Sequence, residues 1–242
     1  MKFDEIFPNT LKALRLELGL ETSDIRRQVE LMVPSMTMVK ACRAQNFDFF
    51  QPAINAGGLS VEQMHHAANR YLLGKTKSQQ PIFWMIDDIH RPLDAHIGDT
   101  WISQLLKKRE PLIQGWQPQH CLFGLHLLAV IPAAQTYPIA IVESEASAVI
   151  LSELIPEFIW LSYATTTHLT PELFAPLRGC SVTLFPRTDP YFNTFLFFHD
   201  LATAVRQYIP SIDISVDETL EKQATEEQKE RCIDILDFIL EQ

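Results

Sequence analysis

Apolar residues follow two different rhythms along this chain, and the second half is the more regular. Residues 138–142 form an unbroken apolar run, as expected of a parallel strand covered on both faces. A helix is predicted over 145–154 and a second strand over 158–161. A short helix then runs to Leu177, capped by Thr170 and opened by Pro171. A third strand at 181–185, a helix at 191–208 and a fourth strand at 212–216 complete the alternation. Such alternation predicts βαβ units and an open parallel sheet flanked by helices, an α/β fold. The tail carries its own start signal. Thr225 and Gln228 suit a capping box, and Cys232, Ile235, Leu236, Ile239 and Leu240 share one apolar helical face.

The first half is helical at its start and mixed afterwards. Leu11, Leu14 and Leu18 share a face behind a capping Asn9 or Thr10, with Gly19 as a stop. A second helix is predicted from Thr22 or Ser23 to just before Pro34. Residues 51–58 have the composition of a loop. Ser60 and Gln63 form a capping box for a helix carrying Val61, Met64, Ala68 and Leu72, which Gly74 is expected to end. Residues 81–87 read as a strand, Asp99 as the cap of a helix carrying Trp101, Ile102, Leu105 and Leu106, and residues 111–119 as a connector. Three parts follow: a helical segment (1–45), an α+β region (46–130) and an α/β domain (131–242).

Composition narrows the function classes. With 47% hydrophobic residues and only 8 glycines, the chain has the means to fold around a sizeable core. No segment looks like a signal peptide or reaches the roughly 20 apolar residues of a membrane helix. Cys42, Cys121, Cys180 and Cys232 are too scattered for zinc-ligand pairs or a disulfide framework, which suggests free thiols in a reducing, cytoplasmic compartment. A formal net charge of −10 argues against a general basic nucleic-acid binder. Two local patches, Lys75 with Lys77 and the run Lys107, Lys108, Arg109, could still meet an anion, although such runs are more often solvated faces.

In an open parallel sheet, ligands collect at the carboxyl ends of the strands. The residues there are Glu143, Ser144 and Glu145 after the first strand, Thr165, Thr166 and Thr167 after the second, and Arg187 and Asp189 after the third. Carboxylates after strands one and three could hold a magnesium ion through oxygen ligands. Plainer readings stand beside these. Glu143 could serve a helix N-terminus, Asp189 a turn, and Asp87 with Asp88 and His90 a solvated turn. Gly74-Lys75-Thr76 imitates the end of a phosphate-binding loop, but it closes a helix where such a loop opens one. The eight histidines show no i, i+4 pair and read as isolated side chains. Phe192, Phe195, Phe197 and Phe198 suit packing of a helix on the sheet better than base stacking.

Val142-Glu143-Ser144-Glu145-Ala146-Ser147-Ala148 resembles the first motif of Toprim domains in primases of phages and mobile elements, where a strand ends in Val-Glu-Gly-Glu-Lys-Thr-Ala. Leu177-Arg178-Gly179-Cys180-Ser181-Val182-Thr183-Leu184-Phe185-Pro186 similarly resembles the strand that delivers the Pro-Asp-x-Asp motif. The likeness extends over residues 47–240, including stretches 70–76, 82–87, 119–128 and 220–227. It is strongest to largely uncharacterised Toprim-like, primase-related proteins of mobile genetic elements. It implies a Rossmann-like parallel sheet, with Glu143 as general acid or base and Asp189 as a magnesium ligand.

The first aspartate of that pair falls at position 187, where this chain has arginine, a permanently charged group unable to ligate a cation. Ala146 stands where the family often has lysine, Leu125 where it often has glutamate, and Thr165 to Thr167 where a glycine-containing turn is common. The expected protein is therefore a Toprim-like accessory in DNA handling with a degenerate metal site, in which Arg187 makes a salt bridge to Glu143 or binds a phosphate, with Thr165 and Thr166 as neighbours. Two alternatives remain. One is an active magnesium-dependent enzyme of phosphodiester chemistry, with Glu145 assisting Asp189. The other is an interaction module that docks a protein partner through the Leu11, Leu14 and Leu18 stripe.

Overall fold

A computed structural model describes residues 34–109 and 118–242. The expected N-terminal helices, with the leucine stripe, and most of the connector at 111–119 lie outside the described residues. The described residues form a mixed α/β structure with two sheets. The described elements begin with α1 (Met36–Ala41), a 3-10 turn at Asp48–Phe50, α2 (Gln51–Asn55) and α3 (Val61–Arg70). The antiparallel sheet follows, with β1 (Gly74–Lys75), β2 (Pro81–Ile86), β3 (Pro92–Ile97) and β4 (Thr100–Trp101) in sequential order. After α4 (Ile102–Arg109) and α5 (Leu127–Val130) comes the parallel sheet.

Its strands are β5 (Ile139–Val142), β6 (Ile159–Ser162), β7 (Ser181–Leu184) and β8 (Asp213–Val216), in the spatial order β6-β5-β7-β8. Between them run α6 (Glu145–Leu154), a 3-10 helix at Pro171–Leu177, and α7 (Asn193–Tyr208). The tail is α8 (Thr219–Gln223), α9 (Glu226–Glu230) and α10 (Ile235–Leu240). β5 and β6 are buried at every position, which explains their unbroken apolar sequences, whereas β8 at the edge exposes alternate residues. Among the described residues, no helix is long and apolar enough to cross a membrane. All four cysteines are free thiols.

β2 shows why the two sheets form one body. Its alternation sends Phe83 and Met85 into the core shared with β5, β6 and β7, and sends Ile82, Trp84 and Ile86 into a second cluster with α1 and α4. Between α3 and α6, Arg70 Nη2 pairs with Glu153 Oε1 at 2.8 Å and donates to Ser152 Oγ at 2.6 Å. Tyr71 stacks on Phe123 and donates its hydroxyl to Trp160 O at 2.7 Å. Phe123 in turn bridges Ser162, lengthening the β6 edge of the parallel sheet.

Several expectations are corrected. Residues 51–55 are helical, because Pro52 sits in the first turn, where its missing N–H is harmless. The helix with Trp101 begins only at Ile102. Its N-terminal N–H of Ser103 is accepted by Asp94 of β3 (3.0 Å), while Asp99 occupies the β3–β4 turn. Helix α3 ends at Arg70, and Gly74 lies in β1. The tail is broken at Cys232, whose φ is +53°, and restarts with a second capping box, Asp234 and Asp237. Of the four phenylalanines near α7, only Phe198 is buried, and Phe192 and Phe197 are exposed.

Gly124 sits at a tight junction. It has φ +83°, and a Cβ there would lie 3.0 Å from the Tyr71 ring and 3.2 Å from Trp160 O. We expect Gly124→Ala to destabilise the protein by about 2 kcal/mol or more, from left-handed strain and displacement of the Tyr71 stack. Urea denaturation measures it, and an unchanged midpoint would contradict this packing account.

Candidate functional site at the switch point of the parallel sheet

The chain leaves β5 for β6 on one side and re-enters at β7 on the other, so β5 and β7 flank the point where strand order reverses. Their carboxyl ends deliver Glu143 and Arg187 to a common crevice. Arg187 Nε lies 3.2 Å from Glu143 Oε2, with the guanidinium side chain 49% and the carboxylate side chain 27% exposed. At that exposure an ion pair contributes at most about 1 kcal/mol, so stabilising the fold does not by itself account for it.

The turn after β6 is laced to the end of β5. Ser162 Oγ donates to Glu143 O (2.5 Å), and Ala164 N donates to the same carbonyl (3.0 Å) and to Ser162 Oγ (3.0 Å). This lacing puts Ala164 at φ +57°, a left-handed conformation normally left to glycine. The Tyr163 side chain is buried, and its hydroxyl makes no hydrogen bond of normal geometry. Burial first, then the negative charge of Glu143, raises that hydroxyl well above the ordinary tyrosine value, while Arg187 works the other way.

The other expected site residues have separate engagements. Asp189 accepts from Tyr191 N (2.8 Å) and Asn193 N (3.2 Å) at one oxygen and from Thr194 N (2.6 Å) at the other. Burial opposes its charge, yet these bonds at the start of α7 hold its carboxyl below the ordinary range. Glu145, in the first turn of α6, is bonded to His96 Nδ1 of β3 at 2.7 Å. Thr165 caps a 3-10 turn by accepting from Thr167 N (3.3 Å), and Thr166 is exposed. Asp87 likewise organises a turn, accepting from Ile89 N, Arg91 N and Arg91 Nε.

Among the described residues, no group of three or more His, Cys, Asp or Glu side chains is placed to hold a metal ion. The chemistry of the donor set agrees. Glu143 faces a fixed cation, Asp189 is filled by backbone N–H groups, and Glu145 serves a histidine, so the acids do not fit a shared magnesium. Sequence reasoning brought Glu143 and Arg187 together but missed Tyr163, His96 and Asp234. Asp234 takes a hydrogen bond from Ser147 Oγ at 2.5 Å, and its own capping box was a readable signal. His96 and Tyr163 gave none, since their roles arise from contacts across the fold.

Residues 88–188 match the model of a family described as a domain of unknown function (DUF6371). That stretch runs from the turn before β3 to the loop after β7, holding His96, Glu143, Glu145 and Arg187 and ending one residue before Asp189. No curated protein matches the chain.

The His96–Glu145 contact gives a pH signature. Burial disfavours the imidazolium, but the hydrogen bond and charge of Glu145 outweigh it, helped by Asp99 and Asp94, and the His96 pKa is raised. A raised folded-state value means this contact stabilises fully below the ordinary histidine pKa and loses its contribution as pH rises through the folded value. We expect stability against urea to decline over that interval above about pH 6.5, and His96→Asn to flatten the decline. An NMR titration placing His96 at or below the ordinary value would contradict this assignment.

Proposed function

We propose that the parallel-sheet part is a Toprim-like module in which a guanidinium–carboxylate pair replaces the metal site, and that the protein is a primase-related accessory in the DNA handling of a mobile element, with little or no catalytic activity. The observation that carries this reading is the 3.2 Å contact between Arg187 and Glu143 at the switch point. The residue that would act as acid or base is held against a cation that never deprotonates, at the position where the resemblance calls for a metal-binding aspartate. The engaged carboxylate of Asp189 supports it as well, because three backbone N–H groups already share its two oxygens and orient it towards the start of α7. Half-exposed Arg187 remains available to a phosphate oxygen through its other nitrogens.

Thermal melting across millimolar magnesium tests the proposal. The wild type should hold its Tm, whereas Arg187→Asp should restore an acid beside Glu143 and gain roughly 1 kcal/mol from bound metal, about 2–4 °C. A magnesium-dependent rise in the wild type that Glu143→Ala abolishes would instead establish an active metal site. No response from Arg187→Asp would break the assignment of position 187 to the metal motif.

A further inference from the structure

Arg43 and Lys75 share a groove of about 590 Å3 with the side-chain amides of Gln45, Asn46, Asn69 and Gln79. The volume lies in the range of small-molecule sites and is far more than a bare inorganic ion fills. No carboxylate lines it, although the chain carries a formal net charge of −10. Neither cation forms an ion pair with a carboxylate among the described residues.

The groove is built on fixed backbone. Ala44 N donates to Leu73 O (3.1 Å) and Lys75 N to Cys42 O (2.8 Å), clamping residues 42–44 against β1. Gly74 permits that closeness, since a Cβ would meet Cys42 O and Trp84 Nε1, both at 3.0 Å. The Thr76–Gln80 turn is closed by Thr76 N to Gln80 O (2.9 Å) and Gln80 N to Thr76 Oγ1 (3.1 Å), and it holds Gln79 at φ +65°. Such a conformation in a non-glycine residue persists only where its surroundings enforce it.

Three of the four amides have an oxygen engaged. Asn69 Oδ1 accepts from Arg43 Nη2 (2.8 Å), Asn46 Oδ1 is bonded to His65 Nε2 (2.7 Å), and Gln79 Oε1 accepts from Lys75 Nζ (3.4 Å). With an oxygen already engaged in each of these three, the NH2 group is free to donate towards a ligand. Arg43 also donates to Asn69 O at 2.9 Å, a cap on the end of α3 that fixes its guanidinium in place. Lys75 lies over the Phe47 ring, 5.2 Å from its centroid. The lining is therefore two positioned cations among amides that can donate, with no carboxylate beside them, which suits phosphate recognition.

We propose that this groove binds the phosphate of a nucleotide, either free or as one unit of a single strand, through Arg43 and Lys75. The site is separate from the switch point and needs no metal.

Direct binding to the full chain tests it, using ATP, a fluorescent single-stranded oligodeoxynucleotide and inorganic phosphate as probes in magnesium-free buffer. ATP alone binding assigns free nucleotide, and tighter binding of the oligonucleotide assigns a strand. In either case Lys75→Gln and Arg43→Gln should each weaken binding by about tenfold or more, while Lys75→Arg retains it. For the strand, the logarithmic salt dependence should also fall by about 0.7 per lost cation. Lys75→Gln decides the matter if Arg43→Gln melts early through loss of its cap. No binding of ATP or oligonucleotide at millimolar concentration, affinity unchanged in Lys75→Gln, or phosphate competing as well as ATP would overturn the proposal. Magnesium has no part in this test, so its failure leaves the reading of the switch point untouched.

Discussion

The central strand β5 sets the geometry on which the rest of the molecule depends. It is hydrogen-bonded in parallel to β6 on one side and β7 on the other, and all four of its residues are buried. Burying an aliphatic side chain is worth about 1.5–3 kcal/mol, and a one-residue slip would exchange the side chains of two packed faces and draw Glu143 into the strand. The register is thereby fixed. Ile139, Ala140 and Ile141 pair with neighbours on both sides, so the turns after β5, β6 and β7 emerge at one rim. The Glu143–Arg187 contact is a consequence of that alignment, since neither side chain has a local reason to find the other.

The rim acids then divide according to who neutralises them. Glu143 has Arg187 in a half-open crevice, Glu145 has His96 across the join between the two sheets, and Asp189 has the free N–H groups at the start of α7. These are three solutions to one electrostatic problem. A carboxylate near the core needs a cation, a donor or a metal, and here each has its own partner. The most buried of the three, Glu145, is also the one that links the sheets, so its pairing is the most consequential for the fold. Removing one member of such a pair leaves the other charge uncompensated, which is far worse than never having had the pair. The more exposed Glu143–Arg187 contact is under no such obligation.

Legibility in the sequence followed the range of the interactions involved. The parallel half was readable because doubly covered strands are continuously apolar and their helices carry local caps. Helix α6, predicted over 145–154, occupies Glu145–Leu154, and Ser144 caps it as such a start requires. Strand β3 was opaque because Asp94 and His96 interrupt its apolar pattern, and the groups that satisfy them, Ser103 and Glu145, belong to other elements. Helix α2 was misread for a different reason. Its Pro and Gly residues look like turn chemistry unless one notes that Pro52 falls at the start and Gly57, with φ +73°, just past the end. Glu143 and Arg187 could be paired from sequence because each lies within two residues of the end of a predicted strand, whereas Tyr163 gains its significance only from burial against them.

Net charge misleads most where function is concerned. A formal −10 describes the whole chain, but screening limits what an approaching anion feels to roughly 8 Å at physiological salt. Within that distance the arrangement of groups matters more than their sum. Two cations set among amide donors, with no carboxylate in the lining, make the groove beside β1 locally attractive to phosphate. The acidic excess of the whole chain weakens the diffuse non-specific affinity for a long polyanion that basic proteins have. An acidic chain with a confined cationic groove is thus better suited to holding one phosphate-bearing unit in a defined place than to coating a nucleic acid.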